Sequence, residues 1–417
     1  MKDAWKKILL LILVIACVAA VVALYLPDFQ RTVHAPTLPR ETEDKVGLVS
    51  LPPVAASGEW NTYHGDAGLT GVAHASFPEV LRVVWVAPAG APVEQPPVIS
   101  GGRIFVVSTR PEVLAFDLDG QPAWRRPLTA SVDSADTAET VYVDAPPAVF
   151  AGSVFTGTDT GLVTALRTDT GEPLWHAQLE SPINGTVNYD RDANALLVLE
   201  QDTGALVRLD MTTGAVRWRS ETVDRADGSP SVGDGIAVYG SCAAALHGIS
   251  LDTGVKRHDL NIEGGGGQVA GGVALVDGFA YAGCRDGRVM RADLEKDAFA
   301  WLKPVSESEV FSTPAVSDDW MLVASLDGML HALDRTTGEP RWQHELGGEP
   351  GSPVIAGDKV VIVSEDTLFL VSLQSGKRLW EMRMAGFISD PAVIPNLIVV
   401  GCEDGTVIAL GLDISQT

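Results

Sequence analysis

The chain has 417 residues and a formal net charge of -24, which becomes -26 once its first 26 residues are set aside. So acidic a body excludes nucleic acid as a partner, because phosphates must be neutralised by Lys and Arg, and anionic lipid repels it. Four cysteines with no CxxC and no vicinal pair argue against a disulfide framework or a zinc site.

Residues 1–7 form a short stub carrying Lys2, Lys6 and Lys7. Residues 8–26 are unbroken apolar chain, long enough to cross a hydrocarbon core of about 30 Å. Lysines before this run place the stub in the cytoplasm and the body outside it. The expectation is an inner-membrane signal-anchor with the body in the periplasm or outside the cell. Val14, Ile15, Ala16 and Cys17 also read as a lipobox, which gives the alternative of a lipoprotein attached through Cys17. The apolar run continues for nine residues past Cys17, which favours the anchor, and a cleaved signal is the third option. Residues 27–58, rich in Pro and polar residues without periodicity, read as a tether.

From residue 59 to 417 one phrase recurs eight times. Its fullest copy, at 312–342, has four short strands, a DG turn, a TG turn and a closing tryptophan. A period near forty residues of four short strands predicts an all-β protein, a β-propeller of four-stranded blades. The closing residues are Trp124, Trp175, Trp218, His258, Trp301, Trp342 and Trp380, with His258 standing where tryptophan is expected. An eighth repeat begins at Asp390 and stops after three strands. Residues 78–88, with Trp85, have the closing-strand pattern. Eight blades follow, closed by the N-terminal strand completing the last one, with no free edge and hence a monomeric propeller.

Most eye-catching residues belong to this repeat. Asp286, Asp327 and Asp404 precede glycines in two-residue hairpins, where such residues serve the turn. None of the eight histidines has metal-ligand spacing, and there is no GxSxG or Walker A sequence. The GxGxxA match at 265–270 follows a glycine-rich run and opens no helical period, so it does not read as a nucleotide site. Asn184, Gly185 and Thr186 form a sequon in a blade connection. Cys242 and Cys284 fall near the same point of adjacent repeats, which leaves a bridge between blades open. One interval breaks the rhythm: 51 residues separate Trp124 from Trp175, against 38 to 43 elsewhere. Long loops in compact folds are often functional. Asp133, Asp136 and Glu139 in this loop would project from the face of Asp286, Asp327 and Asp404, giving a candidate acidic partner-docking surface.

The phrases at 157–175 and 325–342, together with the lead-in at 59–72, resemble the pyrroloquinoline-quinone-type (PQQ-like) propeller repeat. Two branches of that repeat matter. Quinoprotein dehydrogenases are usually longer and carry calcium and an adjacent-cysteine disulfide, and no such cysteine pair is present. BamB-like proteins are scaffolds of the outer-membrane β-barrel assembly machine, of about this size, with a leader and one propeller. That resemblance implies a non-enzymatic protein-interaction scaffold without a cofactor, whose partners are other envelope proteins such as a β-barrel assembly complex. BamB-like proteins are lipoproteins, so the anchor expected at 8–26 departs from them. The alternative is a quinone-dependent oxidoreductase or a propeller that binds a small ligand in its axial channel. A transmembrane sensor is disfavoured by the seven-residue stub.

Overall fold

The computed structural model describes residues 58–128 and 141–412, all within one compact unit, Val49–Thr417. The stub, the apolar run with Cys17, the tether up to residue 57, and Asp133, Asp136 and Glu139 lie outside the described residues. No helix among the described residues is long and apolar enough to cross a membrane.

The described chain folds into eight blades of four antiparallel strands in a ring, an eight-bladed β-propeller, one blade carrying a short fifth strand, Val72–Ala73, in parallel on its inner edge. Blades 1 to 7 cover residues 98–127, 148–178, 188–219, 231–261, 274–304, 315–345 and 354–383. Blade 8 has Ala392–Ile394, Leu397–Gly401 and Thr406–Gly411, and its outermost strand, Arg82–Pro88, comes from the other end of the domain. Arg82 faces Gly411 and Trp85 faces Ala409 in that pairing. The innermost strand of blade 8 also lies against that of blade 1, Val98–Ser100.

The strand sequences explain the layering. Second strands such as Arg103–Ser108 (RIFVVS) and Lys359–Ser364 (KVVIVS) are apolar runs with both faces covered by neighbouring blades, as continuous rather than alternating hydrophobicity requires. Outermost strands such as Pro340–Glu345 (PRWQHE) alternate between exposed and half-buried positions, because one edge meets solvent. The core is accordingly divided among the seams, with separate apolar layers between successive blades.

Six seams share one device. The closing tryptophan of one blade donates its Nε1–H to a carbonyl of the next, at 2.8–3.3 Å: Trp85 to Leu118, Trp124 to Thr168, Trp175 to Met211, Trp218 to Leu251, Trp301 to Arg335 and Trp342 to Leu373. The indole face rests on the glycine of the next blade's third-to-fourth turn. A Cβ on that glycine would come within 2.4–2.8 Å of the ring in all six. Glycine is therefore required there twice, for its positive φ and for the space it leaves.

Candidate functional site

The lead-in at 58–75 has no sequence periodicity, yet it organises the axis. It travels once round the ring, meeting the innermost strands in turn. Its carbonyls at Trp60, Asn61, Ala67, Gly68, Thr70 and Gly71 accept hydrogen bonds from the backbone N–H groups of Ile99, Val149, Val232, Leu275, Val316 and Ile355, which belong to blades 1, 2, 4, 5, 6 and 7. Thr62 Oγ1 lies 3.1 Å from Thr186 Oγ1 beside blade 3, and Gly58 packs on Ile394 of blade 8. Val72–Ala73 then pairs in parallel with blade 7. Inner-edge N–H groups that would otherwise face an open channel are satisfied this way.

His64 locks the spiral. Its Nδ1 and Nε2 stand 2.9 Å from the Leu69 and Pro353 carbonyls, and Gly71 lies so close that a Cβ would be 2.3 Å from the imidazole. His64 and Leu69 both hold positive φ, 60° and 53°, a strain that persists only where surroundings enforce it. Burial pulls the His64 pKa below its ordinary value, against the two carbonyls, which favour a proton on each nitrogen.

Above this floor opens an axial cavity of about 380 Å³, lined by the segments that enter the blades. One ring of entrance residues is stitched across blades. The backbone N–H groups of Thr186, Gly272, Thr313 and Ser352 donate to Ser229 Oγ, Thr313 Oγ1, Ser352 Oγ and Asp390 Oδ1 at 2.9–3.1 Å. Asp390 is the one ionisable member of these pairs. The Tyr63 hydroxyl rises from the floor to within 3.0 Å of Thr313 Oγ1, 2.7 Å of Ser352 Oγ and 3.5 Å of Asp390 Oδ2. Burial pushes the Asp390 pKa up to about 6, although Ser352 and Tyr63 donate to the carboxylate and oppose the shift. Burial and the nearby carboxyl also push the Tyr63 phenol up. Among the described residues the cavity is lined by Glu94, Asp227 and Asp390, with no Lys, Arg or His.

Of the predicted acidic residues, Asp286, Asp327 and Asp404 lie in hairpins on the side of the links between blades that line this cavity. Their hairpins are hydrogen-bonded to the links between blades: Val305 to Gly287, Leu346 to Gly328 and Ala89 to Gly405. The structure does not gather them into a cluster. Asp286 grips Arg288 with a closest contact of 2.6 Å, and Asp404 accepts from the N–H and hydroxyl of Thr406. Asp327 accepts from Ser325 (2.5 Å) and Ser306 (2.7 Å). Desolvation raises its pKa, but those hydroxyls outweigh it and the net shift is downward. Cys242 and Cys284 are both free thiols. Sequence reasoning passed over Tyr63, His64 and Asp390; the lead-in's resemblance to its family was the signal that could have flagged the first two.

Blade 4 contains a constellation that looks catalytic on paper. Ser241 Oγ lies 2.8 Å from His247 Nε2, and His247 Nδ1 lies 2.9 Å from Asp259 Oδ1. Ser241 and His247 are buried at 0 % and 2 % exposure, so no substrate reaches the hydroxyl. Burial depresses the His247 pKa, with Asp259 opposing. This group serves the core.

Comparison with known proteins follows the same lines. The family model described as Outer membrane protein assembly factor BamB matches residues 71–143, 112–343 and 285–415. The outer membrane protein assembly factor BamB of Yersinia pestis is 23 % identical over 286 residues, covering 63 % of this chain and 73 % of that protein. The crystal structure of BamB from Moraxella catarrhalis superposes with a TM-score of 0.67 at 20 % identity, over 80 % of this chain and 98 % of that one. The quinohemoprotein alcohol dehydrogenase from Comamonas testosteroni shares the fold with a TM-score of 0.64 at 14 % identity, over 86 % of this chain and 81 % of that one. With matches running from residue 71 to 415, nearly the whole propeller, the chain belongs to the family of the outer membrane protein assembly factor BamB.

Proposed function

We propose that the chain is a non-enzymatic scaffold of outer-membrane protein assembly, working outside the cytoplasm and contacting its partners through the cavity-bearing face. The family match over 71–415 carries this reading. The lining of the axial cavity supports it against the quinone alternative. A quinone bearing carboxylates needs cationic partners, and Glu94, Asp227 and Asp390 meet it with acidic groups of its own kind. The test is affinity capture of the full-length tagged protein from detergent-solubilised envelopes, followed by mass spectrometry. Enrichment of β-barrel assembly components is expected. Their absence, or chelator-sensitive dye-linked oxidation by the purified protein with added quinone and calcium, overturns the reading.

The same reading bears on attachment. A factor acting at the outer membrane must leave the inner one, which an uncleaved span at 8–26 prevents and a lipid on Cys17 permits. We therefore favour lipidation of Cys17 over the anchor. Labelling with an alkyne palmitate analogue is expected to be lost in Cys17→Ala, and an unlabelled wild-type chain that stays with the inner membrane contradicts it. Asp286, Asp327 and Asp404, with Asp133, Asp136 and Glu139, are proposed as the acidic rim that meets the partner. Deleting residues 129–139 is expected to weaken capture at least threefold without unfolding the propeller.

A further inference from the structure

The mouth of the axial cavity differs from one half to the other. Before each blade, one carbonyl of the incoming link accepts a hydrogen bond, at 2.7–3.3 Å, from a backbone N–H of the hairpin between that blade's second and third strands. The link residues so held occupy equivalent places round the ring. Ahead of blades 8, 1, 2 and 3 they are Phe387, Pro92, Tyr142 and Pro182. Ahead of blades 4 to 7 they are Arg225, Gln268, Glu309 and Glu349. Half the mouth is thus an unbroken arc of aromatic and prolyl residues, and the other half is polar.

Phe387 and Tyr142 stand out of this arc at 57 % and 51 % exposure, while the other large apolar side chains so exposed are aliphatic and lie on or beside outermost strands. Each aromatic is held by a carboxylate of the adjacent hairpin. The Phe387 N–H donates to Glu403 Oε2 at 3.3 Å and the Tyr142 N–H to Asp159 Oδ1 at 2.8 Å. Their links run on into the cavity wall, through Ile388 and Asp390 in one case and Pro146 in the other. Elsewhere the chain lays its own arginines over aromatic rings: Arg291 lies 3.7 Å from Phe279, Arg341 4.2 Å from Trp320 and Arg285 5.0 Å from Phe311. Among the described residues no arginine and no second ring covers Phe387 or Tyr142. The described links and hairpins of the arc also carry Glu94, Asp144 and Asp404, against one cation, Arg110. An uncovered ring among carboxylates attracts a cation from outside.

We propose that this arc docks a basic segment of a partner polypeptide, which lays arginine side chains over Phe387 and Tyr142. Pro92, between the two rings, and Pro182, beyond them, give that segment a rigid apolar bed, and the carboxylates accept from the guanidinium groups. A wholly apolar segment would leave those carboxylates unmatched, and an acidic one would be repelled. The proposal rests on the reading of the cavity-bearing face as the partner's, and adds to it the sector and the chemistry.

The probe is a labelled peptide of alternating arginine and serine, titrated against the full-length protein by fluorescence anisotropy at physiological ionic strength. Saturable binding is expected. Phe387→Ala and Tyr142→Ala should each weaken it at least threefold, and the pair at least tenfold, although neither removes a charge. V216A/V255A, away from the mouth, should leave it unchanged. Unchanged binding by the double arc variant, or an equal loss in V216A/V255A, assigns the attraction to net charge and overturns the proposal. So does equal binding of the peptide with citrulline in place of arginine, which keeps the shape and removes the charge, or no binding by wild type at millimolar peptide. Should the arc variants not fold, crosslinking of wild type with a benzophenone-bearing arginine peptide decides. Labels at 90–94, 141–144, 180–184 or 385–388 support the arc, and labels confined elsewhere refute it. A peptide that binds the arc while affinity capture returns no assembly components refutes the assembly role and leaves the arc. Failure of the peptide with capture intact refutes the arc alone.

Discussion

The two ends of the axial channel are built by opposite rules. At one end the lead-in closes the ring with backbone hydrogen bonds to six blades and a doubly bonded His64, and almost every polar group has a fixed partner. At the other, the cavity gathers three carboxylates, and each hairpin acid is tied only to its own turn or the neighbouring link. The contrast separates what the fold cannot spare from what it displays. Floor residues are tied to blades all round the ring, and the described mouth acids only to groups close by.

The sharpest way to break this contrast is Gly71→Ala. The added methyl meets the His64 ring and sits at positive φ, so a loss of about 3 kcal/mol is expected in denaturant titration. A variant as stable as wild type would mean the lead-in is not rigid. Next comes the blade 4–5 seam. Asp297 stands where six other seams have a glycine under an indole, and its Oδ1 lies 2.9 Å from His258 Nδ1; His258→Trp alone should therefore cost about 1–2 kcal/mol through a clash with Asp297, and adding Asp297→Gly should recover that and more. The resulting coupling of about 2 kcal/mol is readable from a double-mutant cycle. Additive effects would show that the two positions are independent.

A third prediction concerns the cavity wall. Asp390 is raised from 3.8 to about 6 in the folded domain, so the native state holds its proton more tightly than the unfolded chain. Stability from this group is present below pH of about 4 and lost as pH rises through about 6. Asp390→Asn should therefore stabilise the domain by about 1–2 kcal/mol at pH 8 and by little at pH 4, in melts compared across pH. A pH-independent difference would contradict burial as the cause. The smallest effect is expected at the mouth. Asp327→Asn removes a carboxylate held below its ordinary pKa, whose contribution is present at neutral pH and lost as pH falls through the folded value. A cost below about 1 kcal/mol at pH 7, shrinking toward acid, is expected.

The ring was legible because its grammar is local. Each Trp and TG pair sits within a few residues of its turn, and spacing alone counted the blades. His258 stood out against that spacing, but its partner Asp297 did not, because the clash that couples them exists only once two blades are packed. The floor was illegible for a related reason. Tyr63 meets Asp390 across 327 positions, and nothing in the local pattern around either residue marks the pair. The loop with Asp133, Asp136 and Glu139 stood out only by its length.

The lead-in also sets an order of events. Its carbonyls have no partners until the innermost strands of blades as far on as the seventh exist, and Arg82–Pro88 waits for Thr406–Gly411. The first residues of the domain to be made are thus among the last to find their places. Such long-range closure makes folding slow, and Leu81, Trp85 and Ala87, which the closed ring covers, remain uncovered meanwhile. A chain delivered in extended form would therefore depend on a holding factor until its final strand emerges.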